Sequence, residues 1–214
     1  MTTTRTLDPA PGVTLEARWD VPQQPVLAVV FCHPHPLQGG TMTAPLMVAV
    51  TKVLIAGGAA VLRFNFRGVG NSTGAHDDGT GEQDDIASAV DLALGEHGAL
   101  PLAITGWSFG AATALRWQAR AGSTIPYAGI APPLSPDHSS GLPAAADLAP
   151  ADRVVIMGDR DQFTSIEEAK TYTTSIGADL TVIKGSDHFF HFREQRVGAA
   201  VLAVAGAQQP SPGQ

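Results

Sequence analysis

The clearest chemical signal in this sequence is a serine between two glycines. Residues 106–110 read Gly-Trp-Ser-Phe-Gly and fit the pattern G-x-S-x-G, with Ser108 at the centre. The apolar run at 102–104 predicts a buried strand, and residues 109–120, with no Pro or Gly after Gly110, predict a helix. A sharp strand-to-helix turn lifts the serine hydroxyl above the sheet and places it at a helix N-terminus, where developing negative charge is stabilised. Ser108 is therefore predicted to be a nucleophile.

A serine nucleophile needs a histidine base, and the base needs a carboxylate that orients it. In a parallel sheet, reactive residues lie in loops at the C-terminal ends of strands. After residue 108, the apolar run at 153–157 is followed by Asp159 and Asp161, and the run at 180–183 is followed by His188. The candidates therefore follow one another along the chain as Ser, then Asp, then His.

Strand and helix patterns alternate along the chain around these residues. We expect strands at 13–19, 26–32, 59–66, 102–104, 127–131, 153–157 and 180–183, and helices at 43–56, 86–94, 109–120, 166–174 and 193–204. This alternation predicts an α/β fold with a mostly parallel central sheet covered by helices on both faces. No repeat or linker is visible, so we expect one domain over residues 1–214, with flexible ends at 1–12 and 208–214.

The composition excludes several classes of partner. A formal net charge of −7 without a basic cluster argues against nucleic acid and against an anionic membrane surface. The longest apolar stretch, at 198–207, is too short to span a bilayer, and residues 1–12 lack the apolar core of a signal peptide. The single cysteine, Cys32, rules out an internal disulfide and suits a reducing compartment. We therefore expect a cytoplasmic protein.

Two further runs carry a resemblance to a known family. His-Pro-His-Pro at 33–36 with Gly-Gly-Thr-Met at 39–42, and Arg-Phe-Asn-Phe-Arg-Gly-Val-Gly-Asn-Ser at 63–72, accompany the Ser-Asp-His order. The chain resembles, over nearly its whole length, small bacterial α/β-hydrolases related to dienelactone-hydrolase-like and prolyl-oligopeptidase-like enzymes. The resemblance implies the α/β-hydrolase fold and a catalytic triad. The 21 residues between Ala131 and Arg153 suffice for a loop and a short helix, so we expect no lid domain and an open site.

The resemblance also selects between neighbouring candidates. The family's usual strand–Gly-x-x-Asp pattern favours Asp161 over Asp159, which is then expected to be a turn-forming carboxylate. His188 matches the family's Asp-His-Phe-Phe-like run, whereas His191 is expected to be a helix-start histidine. The implied catalytic residues are therefore Ser108, Asp161 and His188.

An oxyanion hole should take one backbone N–H from Phe109 and another from the loop after the strand at 26–32. The prolines at 34 and 36 have no N–H, so the second donor is His35, Leu37 or Gln38. We favour Leu37, with His35 as the alternative. Family members commonly have His-Gly where this chain has His-Pro, which leaves the identity of the donor open.

The remaining expectations concern the substrate. Trp107 and His35 are candidates for lining the substrate pocket, although both could serve in packing.

His33 and His35 stand two residues apart, but no third ligand is placed to complete a metal site, so we expect neither a metal nor a cofactor. The predicted activity is hydrolysis of small carboxylic esters. The alternatives are a thioesterase, lactonase, amidase or peptidase with the same triad, or a non-catalytic binding protein of this fold.

Overall fold

The computed structural model describes residues 1–134 and 141–206. Within these residues the elements follow in the order β1 (Thr2–Ala10), β2 (Val13–Asp20), β3 (Leu27–Cys32), α1 (Pro45–Ala56), β4 (Ala59–Phe64), α2 (Glu82–His97), β5 (Leu102–Trp107), α3 (Phe109–Ala121), β6 (Tyr127–Ile130), β7 (Arg153–Gly158), α4 (Ile166–Ile176), β8 (Asp179–Ile183) and α5 (Glu194–Gly206). Short 3-10 turns occur at Pro36–Gln38 and Ala145–Asp147.

The strands form one eight-stranded sheet in the order β1-β2-β4-β3-β5-β6-β7-β8. The pairs β1/β2 and β2/β4 are antiparallel, and all remaining pairs are parallel. The predicted α/β fold with a mostly parallel sheet is thereby confirmed. Because β3 to β8 run in the same direction, the loops at their C-terminal ends gather at one edge of the sheet.

Helices cover both faces of this sheet, and β3 shows how the sequence achieves it. Val29 and Phe31 point into a core shared with α1 and α5, whereas Val30 and Cys32 point into a core shared with α2 and α3. All six residues of β3 are buried. A strand enclosed on both faces needs apolar side chains at every position, which explains why its sequence is a continuous apolar run.

The expectation of a flexible end at residues 1–12 is wrong. Residues Thr2–Ala10 form β1, which pairs with β2 through a turn at Gly12, whose φ is +78°. Leu7 is buried opposite Leu15 in this hairpin, and Arg5 pairs with Glu96 on α2. The threonine-rich segment is a good strand former, but its single buried apolar residue gives no periodic signal. Residues 208–214 lie outside the described part of the chain.

The connection between β6 and β7 carries little regular structure. Over its described residues, 131–134 and 141–152, the only regular element is the turn Ala145–Asp147. No helix of the described residues is long and apolar enough to cross a membrane.

Candidate active site

Ser108 lies in the turn between β5 and α3, with backbone angles φ 53° and ψ −117°. A positive φ is unusual for a residue with a Cβ and indicates local strain that the surroundings must hold. Two close approaches make the turn possible. A Cβ on Gly106 would lie 2.5 Å from the Ala111 nitrogen, and one on Gly110 would overlap the carbonyl oxygen of His33. Small residues two positions either side of the serine are therefore a steric requirement of this turn.

His188 follows β8 and is hydrogen-bonded to Asp161, which follows β7. His188 Nδ1 lies 2.8 Å from Asp161 Oδ2, and the two side chains are 6% and 0% exposed. The other carboxylate oxygen, Oδ1, accepts from the amides of Phe163 (2.8 Å) and Thr164 (3.2 Å). An ionised carboxylate only accepts, so Nδ1 carries the proton and Nε2 of the neutral imidazole is left as an acceptor.

The two alternatives weighed against these residues are engaged elsewhere. Asp159 is exposed, and its Oδ1 accepts from the amides of Gly185 (2.6 Å) and Ser186 (3.2 Å). It therefore ties the loop after β7 to the loop after β8. His191 is exposed and stacks on Phe189, with ring centroids 5.9 Å apart.

A cavity of about 600 Å³ lies over the elbow and contains Ser108 and His188 in its wall. Both predicted pocket residues, Trp107 and His35, also line it. Much of the remaining wall is aromatic or aliphatic: Phe109, Phe163, Phe189, Pro34, Pro45, Pro133, Ala44 and Ala112. Trp107 is fixed by a hydrogen bond from its Nε1 to the His188 carbonyl oxygen (3.1 Å). An apolar pocket with a few convergent polar groups is typical of a small-molecule site.

The loop after β3 does not present Leu37 as expected. The Leu37 amide donates to His35 Nδ1 (3.2 Å), Leu37 is 75% exposed, and it does not line the cavity. The Gln38 amide donates to the His35 carbonyl oxygen (3.0 Å). The structure therefore does not support Leu37 as the second oxyanion donor, because the turn uses the Leu37 and Gln38 amides in its own hydrogen bonds. Of the three candidates, only His35 lines the cavity with its amide outside any hydrogen bond to the described residues.

His33, at the start of this loop, is fully buried and makes two hydrogen bonds. Its Nδ1 donates to the Pro34 carbonyl oxygen (2.6 Å), and its Nε2 accepts from the Phe66 amide (3.0 Å). Burial lowers the pKa of His33 to about 4, so the imidazole is neutral at physiological pH. Nε2 of His33 thus joins the loop to the segment after β4, and Nδ1 holds the first turn of the loop itself.

A second histidine–carboxylate pair next to the cavity was not predicted from the sequence. His76 Nδ1 lies 2.7 Å from an oxygen of the fully buried Glu82. The His76 ring also contacts the rings of His35 and Phe109, at centroid distances of 5.0 and 5.3 Å. Burial and the neighbouring His76 lower the pKa of His35. The polar segment at 76–85 gave no periodic signal, because these contacts arise only when it folds back onto the helix start.

Comparison with known proteins agrees with the fold. The sequence profile of the alpha/beta hydrolase domain family matches residues 27–203. An uncharacterized protein of Rickettsia prowazekii is 32% identical over 188 residues, which are 84% of this chain and 78% of that protein. A serine hydrolase without a lid from Xanthomonas campestris has a TM-score of 0.85 at 27% identity, covering 99% of this chain and 97% of that one. A serine hydrolase homologue from Coxiella burnetii has a TM-score of 0.81 at 27% identity, covering 94% and 96%.

Proposed function

This chain belongs to the α/β-hydrolase domain family, and from that premise we propose that it is a serine hydrolase that cleaves small carboxylic esters. The observation that carries the proposal is the meeting of three elements at one cavity. Ser108 in the strained turn and His188 line the same wall, and His188 is hydrogen-bonded to the buried Asp161. This combination supplies a nucleophile, a base and an orienting carboxylate.

In the proposed reaction, His188 Nε2 takes the proton of Ser108 as Oγ attacks the ester carbonyl carbon. The carbonyl π electrons move to the oxygen, which becomes an oxyanion. As the tetrahedral intermediate collapses, His188 gives the proton to the leaving alkoxy oxygen, and an alcohol departs. His188 then removes a proton from water, which attacks the acyl-enzyme, and a second collapse returns the proton to Ser108 and releases the acid. Asp161 holds the imidazole tautomer and stabilises its positive charge in both steps.

The proposed oxyanion hole consists of the backbone N–H groups of Phe109 and His35. Phe109 is the first residue of α3, where the amides have no partner within the helix. His35 is the loop candidate whose amide makes no hydrogen bond to the described residues and which lines the cavity. Donors aimed at the developing negative charge stabilise the transition state more than the ground state.

The expected substrate is small. A cavity of about 600 Å³ lies within the range typical of small-molecule sites, roughly 300–1,000 Å³. Phe163 and Phe189 stand near the His188 imidazole, with ring centroids 4.7 and 5.7 Å from it. Because His188 protonates the leaving oxygen, these rings are the proposed contacts of the alcohol group.

The test is hydrolysis of p-nitrophenyl esters from acetate to palmitate by the wild type and by Ser108→Ala. We expect activity on short chains that is lost in the variant, together with labelling of Ser108 by a fluorophosphonate. Activity confined to long-chain, micellar esters would contradict the small-ester proposal. Labelling without activity on any ester would leave the nucleophile in place and direct the search to thioesters, lactones and peptides. Absence of both would contradict a serine hydrolase.

A further inference from the structure

The run at 63–72, which the proposed reaction does not use, contacts the loop that carries the proposed oxyanion donor. We propose that Asn65 is a positioning residue for this loop, holding its far end through Met42 and itself oriented by Glu16. The proposal rests on the proposed function, because it concerns the placement of the His35 N–H. It is carried by hydrogen bonds that connect β2, the end of β4 and the loop.

The loop is attached to the end of β4 at two points. At its start, His33 Nε2 accepts from the Phe66 amide (3.0 Å). At its end, both backbone groups of Met42 are held: its N–H donates to Asn65 Oδ1 (2.8 Å), and its carbonyl oxygen accepts from Arg63 Nη1 (2.7 Å). The residues between these two points are therefore fixed from both sides.

A short path leads from Met42 to the proposed donor. Gly40, two residues earlier, donates its amide to the His35 carbonyl oxygen (3.0 Å). Gly40 also packs against the peptide group between Pro34 and His35 so closely that a Cβ on it would overlap the Pro34 carbonyl oxygen. That peptide group contains the His35 N–H. A displacement of Met42 would therefore move the backbone that supports the donor.

The amide of Asn65 can take only one orientation. Asn65 is 4% exposed, and its Nδ2 donates to a carboxylate oxygen of Glu16. Because a carboxylate only accepts, Nδ2 must face Glu16, which leaves Oδ1 for the Met42 amide. The second oxygen of Glu16 accepts from Asn71 Nδ2 (2.6 Å). Glu16 thus determines which atom Asn65 presents to the loop.

The glycine at position 70 is part of the same arrangement. It has φ +58°, and a Cβ on it would lie 2.5 Å from both Asn65 Nδ2 and Glu16 Oε1. Ser72 completes the enclosure, because its Oγ donates to the Asn65 carbonyl oxygen (2.8 Å). Gly70 and Ser72 therefore help to enclose the Asn65 residue.

The arrangement suggests a substitution together with its own rescue. In Asn65→Asp the shape is kept, but two carboxylates face each other, and the introduced carboxylate has no proton to donate to Glu16. Adding Glu16→Gln restores the pattern with amide and carboxylate exchanged: the Gln amide nitrogen donates to the new carboxylate, and its oxygen still accepts from Asn71. Asn71→Asp is the matched control, because it also adds a carboxylate beside Glu16 but makes no contact with Met42.

The experiment measures the rate of fluorophosphonate labelling of Ser108, kcat and KM on a short ester, and the urea unfolding midpoint. We expect Asn65→Asp to lower the labelling rate and kcat by about 10- to 100-fold with KM nearly unchanged, since small displacements of a catalytic group have effects of this size. The double variant should recover to within about 3-fold of the wild type, and Asn71→Asp should stay within that margin.

Three results would overturn the proposal. The first is a wild-type labelling rate in folded Asn65→Asp. The second is a double variant that regains the wild-type unfolding midpoint but stays as slow as the single variant. If Asn65→Asp does not fold, Glu16→Ala, at a partly exposed position on β2, is tested in its place. We expect it to lower the labelling rate by about 3- to 10-fold. An unchanged labelling rate in Glu16→Ala is the third result. A wild type that is never labelled would instead refute the proposed function and this inference with it.

Discussion

His188 and Asp161 are 27 residues apart in the chain, yet Nδ1 of one lies 2.8 Å from Oδ2 of the other. Asp159, two residues before Asp161, instead accepts from the Gly185 and Ser186 amides and faces solvent. The two carboxylates on this loop therefore make different contacts. Asp161 is hydrogen-bonded to the His188 imidazole, whereas Asp159 binds the backbone of the loop that carries His188.

Asp161→Asn and Asp159→Asn form a matched pair that tests this separation. The first should lower kcat by about 10³- to 10⁴-fold, because an amide can hold the imidazole in the wrong tautomer and cannot stabilise its charge. The second should leave kcat within about 3-fold and reduce the free energy of unfolding by about 1 kcal/mol, through weaker hydrogen bonds to the two amides. Ester kinetics and urea unfolding check both. A comparable loss of kcat in Asp159→Asn would contradict the assignment.

The proposed second oxyanion donor is the backbone N–H of His35, and proline at this position would remove it. His35 has φ −54°, a value that proline adopts without strain. His35→Ala removes the imidazole but keeps the N–H, whereas His35→Pro removes both. We expect His35→Pro to have a kcat about 100- to 1,000-fold below that of His35→Ala, the usual cost of losing one donor. Equal kcat values in the two folded variants would show that another group is the donor.

For the candidate site, the sequence could predict the order of the elements that carry its residues. Ser108, Asp161 and His188 each follow an apolar strand, and parallel strands bring their C-terminal ends to one edge whatever the side chains between them. For the second oxyanion donor the sequence led us to favour Leu37 over His35, and the structure does not support that preference. That choice depends on a hydrogen bond from the Leu37 amide to the His35 ring, which exists only in the folded turn.

Contacts between distant segments were also beyond prediction. Asn65 and Met42 are 23 residues apart, and nothing in either neighbourhood signals that one side chain will hold the other's amide. Strand β1 was missed for a related reason: its stability comes from pairing with β2 and from the burial of Leu7, and neither produces a repeating apolar pattern. A periodic pattern of apolar residues indicates only local structure, whereas the Asn65–Met42 hydrogen bond and the pairing of β1 with β2 are tertiary contacts.

The buried His33 should make stability depend on pH. Its pKa is about 4 in the folded protein and roughly 6.5 in an unfolded chain. The unfolded chain therefore binds the proton more tightly, so the stabilisation is complete above pH 6.5 and is lost as the pH falls toward 4. The difference corresponds to about 3 kcal/mol.

Urea unfolding at pH 7.5 and pH 4.5 compares the wild type with His33→Gln, which does not titrate. The variant should be less stable at pH 7.5, because Gln cannot reproduce both hydrogen bonds in this geometry. On acidification it should lose about 2–3 kcal/mol less than the wild type. Identical losses would show that His33 is not the titrating group.

Asp84 and Asp85, adjacent on α2, allow the stability contribution of a surface ion pair to be compared with that of a buried one. Asp85 is fully buried and accepts from the backbone N–H (3.0 Å) and guanidinium (2.6 Å) of Arg67. Asp84 pairs with Arg120 on the surface, where both side chains are 46% exposed. Asp85→Asn should cost about 3–5 kcal/mol of unfolding free energy, because it leaves the Arg67 charge poorly compensated. Asp84→Asn should cost less than about 1 kcal/mol. Similar unfolding midpoints would contradict this account.

Gly110 and Gly95 differ in whether a side chain would fit at their positions. A Cβ on Gly110 would overlap the His33 carbonyl oxygen and lie 2.6 Å from that of Cys32, so the start of α3 can lie against the end of β3 only without a side chain. Gly95 lies exposed on α2, and a Cβ on it would have no neighbouring atom within 4 Å. Gly110→Ala should therefore cost about 3 kcal/mol, at the upper end for overpacking, and should slow fluorophosphonate labelling of Ser108 as the turn shifts.

Gly95→Ala should add about 0.5–1 kcal/mol, because alanine loses less conformational freedom than glycine on entering a helix. Urea unfolding and the labelling rate are measured on both variants, and Gly95→Ala should label at the wild-type rate. A stable Gly110→Ala with a wild-type labelling rate would show that the turn does not need the close approach of α3 to β3. The strained φ of Ser108 would then have to be held by other contacts, of which the hydrogen bond from its amide to the Ile130 carbonyl oxygen (2.8 Å) is the first to examine.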